Sequence, residues 1–437
     1  MRMSDTVAAV KAAKEASVQM AALPTGTKDA AIRAMADAIR DNAERILEAN
    51  AQDVRRASGS IPAEMLRRLR VDGTKIAEMR ASLLSVAEQE DPIGKTMSSV
   101  TMDDGLTMYQ VRCPIGLIGI VFEARPDVIP QVMSLCLKSG NAVCFKGGSE
   151  AQGSNRVLFD ILRDAAVSQG VPGEAFVLME SREDIAAILT LDGYIDLLIP
   201  RGSYSFVRYI QENTRIPVLG HAAGICHVYV DSEADLGKAL RVALDSKVQY
   251  PAVCNAAEKL LVNEKIAPLF LPRIADLYAQ HGVEMRIAPG LEKYLVGFDT
   301  VPATDEDWTA EYDDLVIAIR TVKDVKEASA FINAHGSHHS EAIVTENRDT
   351  FDYFMRHTDS ADILLNASTR FADGYRLGLG AEIGISTGKV HARGPMGMEG
   401  LTIYKYVVIG DGHIVADYSG PDAKKYKHIR TDARYGE

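Results

Sequence analysis

The chain has 437 residues, 48 of them Lys or Arg and 60 Asp or Glu, for a formal charge of −12. Its 47% hydrophobic and 25% charged content is that of an ordinary folded protein with room for several cores. So acidic a chain is a poor partner for nucleic acid, and the composition excludes a disordered tail, a coiled coil and a disulfide-stapled miniprotein.

The first 90 or so residues read as helices. Ile32, Met35, Ile39, Ile46 and Leu47 recur at helical spacing across 28–51, and 63–87 is a second amphipathic stretch. The pattern changes after Asp104-Gly105. Residues 107–111 alternate, Cys113-Pro114 breaks the alternation, and 115–122 is strand-like, which predicts a β-hairpin leading into a buried strand. That apolar run stops at Glu123, far short of the roughly 20 residues that span a bilayer. Charges through the first 16 residues leave no apolar signal region, so a cytoplasmic protein is expected, with no membrane partner.

Strands and helices then alternate to about residue 220. Strand patterns at 142–145, 175–179, 195–199 and 216–219 are separated by helical patterns at 150–168, 183–191 and 203–213. A second alternating block follows, with strands at 227–230, 258–262, 315–319, 342–345 and 363–365 and helices at 235–247 and 266–280. Such alternation predicts parallel sheets with crossover helices, an α/β fold divided near 220–225. Residues 371–400 are glycine-rich and irregular, and 401–408 form a last strand.

No Gly-x-x-x-x-Gly-Lys-Ser/Thr is present, and Gly378-Leu379-Gly380 with Gly384 is out of register for a dinucleotide turn. The five cysteines form no Cys-x-x-Cys pair, and His335, His338 and His339 lack accompanying ligands, so no metal is expected. KSGNAVCFKGGSEA (138–151) ends a strand in Lys146, Gly147, Gly148 and Ser149 before a new helix. Anionic ligands dock at such strand ends, and a polar turn with a capping lysine fits the same residues. Cys254, in SKVQYPAVCNAAEKLLV (246–262), lies in a loop between a helix and an apolar strand, where a thiol can meet substrate. The other cysteines sit in apolar runs or, for Cys113, in a hairpin without a basic partner. In EIGISTGKVHARGPMGMEGL (382–401), Ser386, Thr387, Lys389, His391 and Arg393 suit a carboxylate or phosphate, with Arg393 either a bidentate clamp or a brace for the loop.

Together these segments resemble the aldehyde dehydrogenase superfamily. GNAVCFKGG is similar to that superfamily's strand before the cofactor-binding lysine. FEARPDVIP (122–130), DLLIPRG (196–202), GICHVYVD (224–231) and the three segments above resemble, in order, its branch that reduces glutamyl phosphate, from about residue 5 to 420. The resemblance implies an NADP-binding domain at 1–106 and 130–225 (plus about 379–399) and a catalytic domain at 226–378. It implies an oligomerisation hairpin and C-terminal strand at 107–129 and 400–437. The implied activity is NADPH-dependent reduction of L-glutamyl 5-phosphate to glutamate 5-semialdehyde and phosphate through a cysteine thioester, in proline biosynthesis. Cys254 would be the nucleophile, with its own N–H and Asn255 as oxyanion donors. Lys146, Gly147, Gly148, Ser149, Arg201 and Gly202 would hold the cofactor, and Arg125, Ser386, Thr387, His391 and Arg393 the substrate. The partners implied are the small-molecule substrate, further copies of the chain and glutamate 5-kinase.

Three segments depart from that branch. Asp127 stands where Asn is usual, near the place where the wider superfamily has an oxyanion-donating asparagine, and an ionised carboxylate has no hydrogen to donate. Lys146 and Ser149 replace Arg and Lys, and Ala222-Ala223 replaces Leu-Asp. No Leu-Glu-Leu-Gly-Gly-type segment precedes Cys254, so the glutamate that activates hydrolytic water in oxidative members has no counterpart. A reductase releasing aldehyde needs no such water, which favours acyl-phosphate chemistry. A coenzyme A-linked acylating dehydrogenase and a non-catalytic relative that partners glutamate kinase are the alternatives.

Overall fold

The computed structural model describes residues 3–180, 183–220, 223–379 and 381–437. The contacts divide the chain into two compact units, Met1–Leu219 with Gly397–Glu437, and Gly220–Met396.

The first unit opens with five helices, α1 (Met3–Met20), α2 (Thr25–Asp41), α3 (Ala43–Ala57), α4 (Ala63–Leu69) and α5 (Gly73–Glu88). In α2, Ile32, Met35 and Ile39 are fully buried, as their spacing requires. The stretch 28–51 is nevertheless two helices, because the chain breaks at Asn42, and 63–87 is also two, with Asp72 capping α5 by accepting from Lys75 N at 2.9 Å. Next come β1 (Thr96–Asp103), β2 (Leu106–Pro114), β3 (Leu117–Phe122), α6 (Val128–Lys138), β4 (Ala142–Gly147), α7 (Gln152–Ser168), β5 (Phe176–Met179), α8 (Glu183–Leu189), β6 (Leu197–Arg201) and α9 (Tyr204–Glu212). A parallel sheet runs in the order β5–β4–β3–β6. Its two central strands are buried along their whole length, which explains their unbroken apolar sequences.

The second unit comprises β7 (Cys226–Val230), α10 (Leu236–Val248), β8 (Ala257–Asn263), α11 (Ala267–Gln280), β9 (Glu284–Ile287), β10 (Thr300–Pro302), β11 (Val316–Val322), α12 (Val325–His335), β12 (Ser340–Val344), α13 (Arg348–His357), β13 (Asp362–Leu365), β14 (Ile385–Ser386) and β15 (Gly394–Pro395). Seven of these strands form one parallel sheet, β10–β9–β11–β8–β7–β12–β13. Alternation divides its two faces. Val228, Val230, Leu260 and Val262 pack with residues of α10 and α11, while Tyr229 and Leu261 pack with Phe331 of α12 and Phe354 of α13.

The chain closes in the first unit with β16 (Thr402–Ile409) and β17 (Ile429–Thr431), which complete an antiparallel sheet in the order β16–β2–β1–β17. Two expected boundaries are corrected. The antiparallel sheet expected from residue 107 begins earlier, since β1 belongs to it, whereas β3 lies at the centre of the parallel sheet. Residues up to Met396 group with the second unit rather than returning to the first, because β14 pairs with β15 and Arg393 is bonded to Asp359. The strand expected at 216–219 is reduced to one bridge, Leu198 to Val218.

Candidate active site

In the first unit, the residues expected to hold a cofactor gather at the carboxyl ends of three adjacent strands. Phe122, at the end of β3, pairs with Gly147 on one side and Arg201 on the other. Lys146 is only 4% exposed and its Nζ donates to Gly147 O at 2.6 Å. A Cβ on Gly147 would overlap Asn155 Nδ2, one on Gly148 would overlap the Glu150 carboxylate, and one on Gly202 would press on Glu123. A larger residue at any of the three would have to displace those side chains. Ser149 opens a short 3-10 turn that feeds α7, whose first N–H groups are unsatisfied within the helix. Arg125 follows Ala124, which holds a left-handed φ of 43° with its N–H bonded to Glu150 Oε1 at 2.6 Å. Asp127 forms an ion pair with Lys75 at 3.1 Å.

Two side chains at this edge carried no sequence signal. Asn155 is 3% exposed and lines a small cavity with Gly147, Gly148 and Glu180, and its Oδ1 has no hydrogen-bond partner among the described residues. Glu180, just after β5, is gripped by Arg156, whose Nε donates to Oε1 at 3.0 Å. A second cavity of about 420 Å³ adjoins through Leu178 and Glu180 and is lined by Ala9, Ala12, Phe159 and Phe176. Paired glycines at a strand end, a buried lysine, an orphaned carboxamide oxygen and an apolar recess fit a nucleotide cofactor, which offers phosphate, hydroxyls and a flat ring.

The second unit carries Cys254, the expected nucleophile. Cys254 is half-buried in the loop between α10 and β8, and that loop is pinned from several directions. At its stems, Lys247 and Glu258 form a wholly buried ion pair at 3.1 Å. Burial pushes the Glu258 carboxyl up and the lysine down, each opposed by the partner's charge. The Cys226 thiol donates to Cys254 O at 3.2 Å. Gly224 lies so close that a Cβ would overlap the Cys254 carbonyl and Cα. Gly224 N donates to Glu311 Oε1 at 2.8 Å. Cys136, Cys144 and Cys226 are buried, and burial drives all three thiols upward, away from the reactive thiolate. The neighbouring His221 and Ala222 lie outside the described residues.

Asn255 already commits one of its two amide hydrogens. It is 4% exposed and its Nδ2 donates to Ala372 O at 2.7 Å. The Cys254 N–H donates to no group among the described residues, so it is a donor available beside the thiol.

Residues 382–396 of the glycine-rich segment fall in the same unit as Cys254. Ser386 is fully buried and its Oγ accepts from Gly388 N at 3.2 Å, with Thr387 beside it. His391 is exposed, at a left-handed φ of 71°. Arg393 has the contacts of a brace: Nη2 donates to Asp359 Oδ1 at 2.9 Å and to Asp359 O at 3.3 Å. Lys389 meets the same carboxylate at 2.5 Å, and these two cations hold Asp359 below the usual carboxylate range. The three histidines serve locally: His335 bonds Phe331 O, His338 bonds Asp359 O, and His339 bonds Ser340 Oγ.

The aldehyde dehydrogenase family profile matches residues 1–292, two thirds of the chain. A γ-glutamyl phosphate reductase of Methanosarcina mazei is 52% identical over 99% of both chains. The chain belongs to the aldehyde dehydrogenase family. A γ-glutamyl phosphate reductase of Pelotomaculum thermopropionicum is 48% identical, over 97% of each chain. The crystal structure of a γ-glutamyl phosphate reductase from Thermotoga maritima superposes with a TM-score of 0.90 at 40% identity, covering 95% of this chain and all of that one. The α/β architecture described above is thus that of an aldehyde dehydrogenase, as the motifs around Lys146 and Cys254 imply.

Proposed function

We propose that the chain catalyses NADPH-dependent reduction of L-glutamyl 5-phosphate to glutamate 5-semialdehyde and phosphate, a step of proline biosynthesis. The observation that carries this reading is Cys254, a half-buried thiol in a loop fixed at both stems and along its backbone, in a chain half identical to γ-glutamyl phosphate reductases. The Cys254 thiolate attacks the acyl carbon: the Sγ–C bond forms, the C–O bond to phosphate breaks, and the electron pair leaves with phosphate. The Cys254 N–H receives the transient oxyanion, which needs a preorganised donor. NADPH, when bound, would supply the hydride that takes the thioester to the hemithioacetal from which the aldehyde is released. Collapse of the resulting hemithioacetal then frees the Cys254 thiolate. Lys146, Gly147, Gly148 and Ser149, with Arg201 and Gly202, are assigned to the cofactor. Arg125, Ser386, Thr387, His391 and the braced Arg393 are assigned to the glutamyl end. The exposed edge of β16, with Ile403, Tyr404, Tyr406 and Val408 projecting, suits pairing with a further copy of the chain. The acyl phosphate itself must come from a kinase that phosphorylates glutamate.

Offering the purified protein several acyl donors tests the reaction. Turnover is expected with the acyl phosphate and NADPH, faster than with NADH, and none with a coenzyme A thioester. Turnover of the thioester in place of the phosphate would overturn the assignment.

A further inference from the structure

Beside the Cys254 loop lies a buried cation that the chemistry above leaves without a task. Arg370 sits on the 3-10 turn Thr369–Phe371 and is 7% exposed. Its side chain makes one hydrogen bond among the described residues, from Nε to Gln249 Oε1 at 2.8 Å, and no ion pair with a carboxylate among them. A guanidinium taken out of water is costly; Asp373 and Asp245 offset that cost only from beyond ion-pair distance, and the planar donor fork matches two oxygens of a phosphate. A second guanidinium is close by. Arg376 donates Nη1 to Arg370 O at 2.8 Å, and its charge adds to burial in lowering the Arg370 pKa. The Cys254 thiol is also within electrostatic reach of Arg370.

The cation is fixed relative to the nucleophile by four contacts between two short segments. Ser246 Oγ bonds Ser368 Oγ at 3.1 Å, and Thr369 N donates to Ser246 Oγ at 3.2 Å. Arg370 reaches Gln249, and Asn255 reaches Ala372 O. Residues 368–372 therefore run alongside 246–255, the segment that carries Cys254.

Resting on the acyl-phosphate chemistry above, we propose that Arg370 is a phosphate-binding residue, its Nη groups holding the phosphate of the acyl donor as Cys254 displaces it. In the forward direction Arg370 receives the charge that grows on the departing oxygen. In the reverse direction it binds inorganic phosphate, which attacks the thioester carbon while the C–Sγ bond breaks and the electron pair returns to Cys254.

Two assays on the full-length protein test this. In NADP reduction by glutamate 5-semialdehyde, Arg370→Gln should raise the KM for inorganic phosphate about 10- to 100-fold, the range of a lost charged hydrogen bond. The KM for NADP and the melting temperature should not change. In the second assay, inorganic phosphate should slow alkylation of Cys254 by iodoacetamide in the parent protein and not in Arg370→Gln. A parent-like phosphate KM together with parent-like protection would overturn the proposal. If the parent reduces NADP without phosphate, the reaction assignment fails, and the alkylation assay still decides whether Arg370 holds the anion. Should Arg370→Gln not fold, Arg370→Lys keeps the charge and loses the fork. It should raise the phosphate KM by about tenfold, and a parent-like value sinks the idea.

Discussion

Cys254→Ala is expected to abolish turnover while leaving NADPH affinity unchanged. In the mechanism proposed above the Cys254 thiolate forms the thioester, and no other described cysteine is placed to replace it. Cys136, Cys144 and Cys226 are buried, and Cys113 lies on β2, in the antiparallel sheet of the first unit. The loss should approach the full catalytic factor, because the remaining binding groups cannot make the covalent bond. Fluorescence titration with NADPH and a steady-state assay check both halves, with Cys113→Ala as the active control. Activity above a few per cent of the parent in Cys254→Ala, by an order-of-magnitude standard for a lost nucleophile, contradicts the role.

Gly224→Ala is expected to be almost as damaging, although residue 224 performs no chemistry. The added methyl would overlap backbone atoms of Cys254 rather than the yielding end of a side chain. Either the Cys254 segment or the start of β7 must move. Displacing a reacting atom by about 1 Å costs around 100-fold in rate. The strain of a forced fit adds about 1–3 kcal/mol of destabilisation. The expected result is a kcat at least about 100-fold lower, with a lowered melting temperature and unchanged NADPH affinity. A parent-like kcat would mean that the packing against Cys254 is not what positions the thiol.

Much of the fold was legible because its signal is local. The period-2 alternation of Val228-Tyr229-Val230 and Leu260-Leu261-Val262 marks strands whose faces meet different helices, and the structure packs them so. The break at Asn42 was not legible, since 28–51 keeps its apolar spacing through it. Strand β1 was missed because TMSSVTMD carries little hydrophobic pattern, and its register comes from β2 on one side and β17, over 300 residues away, on the other. Site residues divide the same way. Cys254 and Lys146 stand in recognisable segments. Arg370 and Glu180 acquire meaning only from partners brought in by tertiary structure, and Asn155 only from the cavity it lines. Arg393 shows the limit plainly: its charge is read at once from sequence, but Asp359, which holds it, lies 34 residues away.

The reverse reaction tests the central claim most directly. Purified protein is mixed with glutamate 5-semialdehyde and NADP, and absorbance of the reduced cofactor is followed as inorganic phosphate is varied. Thioester chemistry with phosphate as the acyl acceptor predicts a rate that is negligible without phosphate, saturates with it, and vanishes in Cys254→Ala. Reduction of NADP that proceeds equally well without phosphate, or only with coenzyme A, would contradict it.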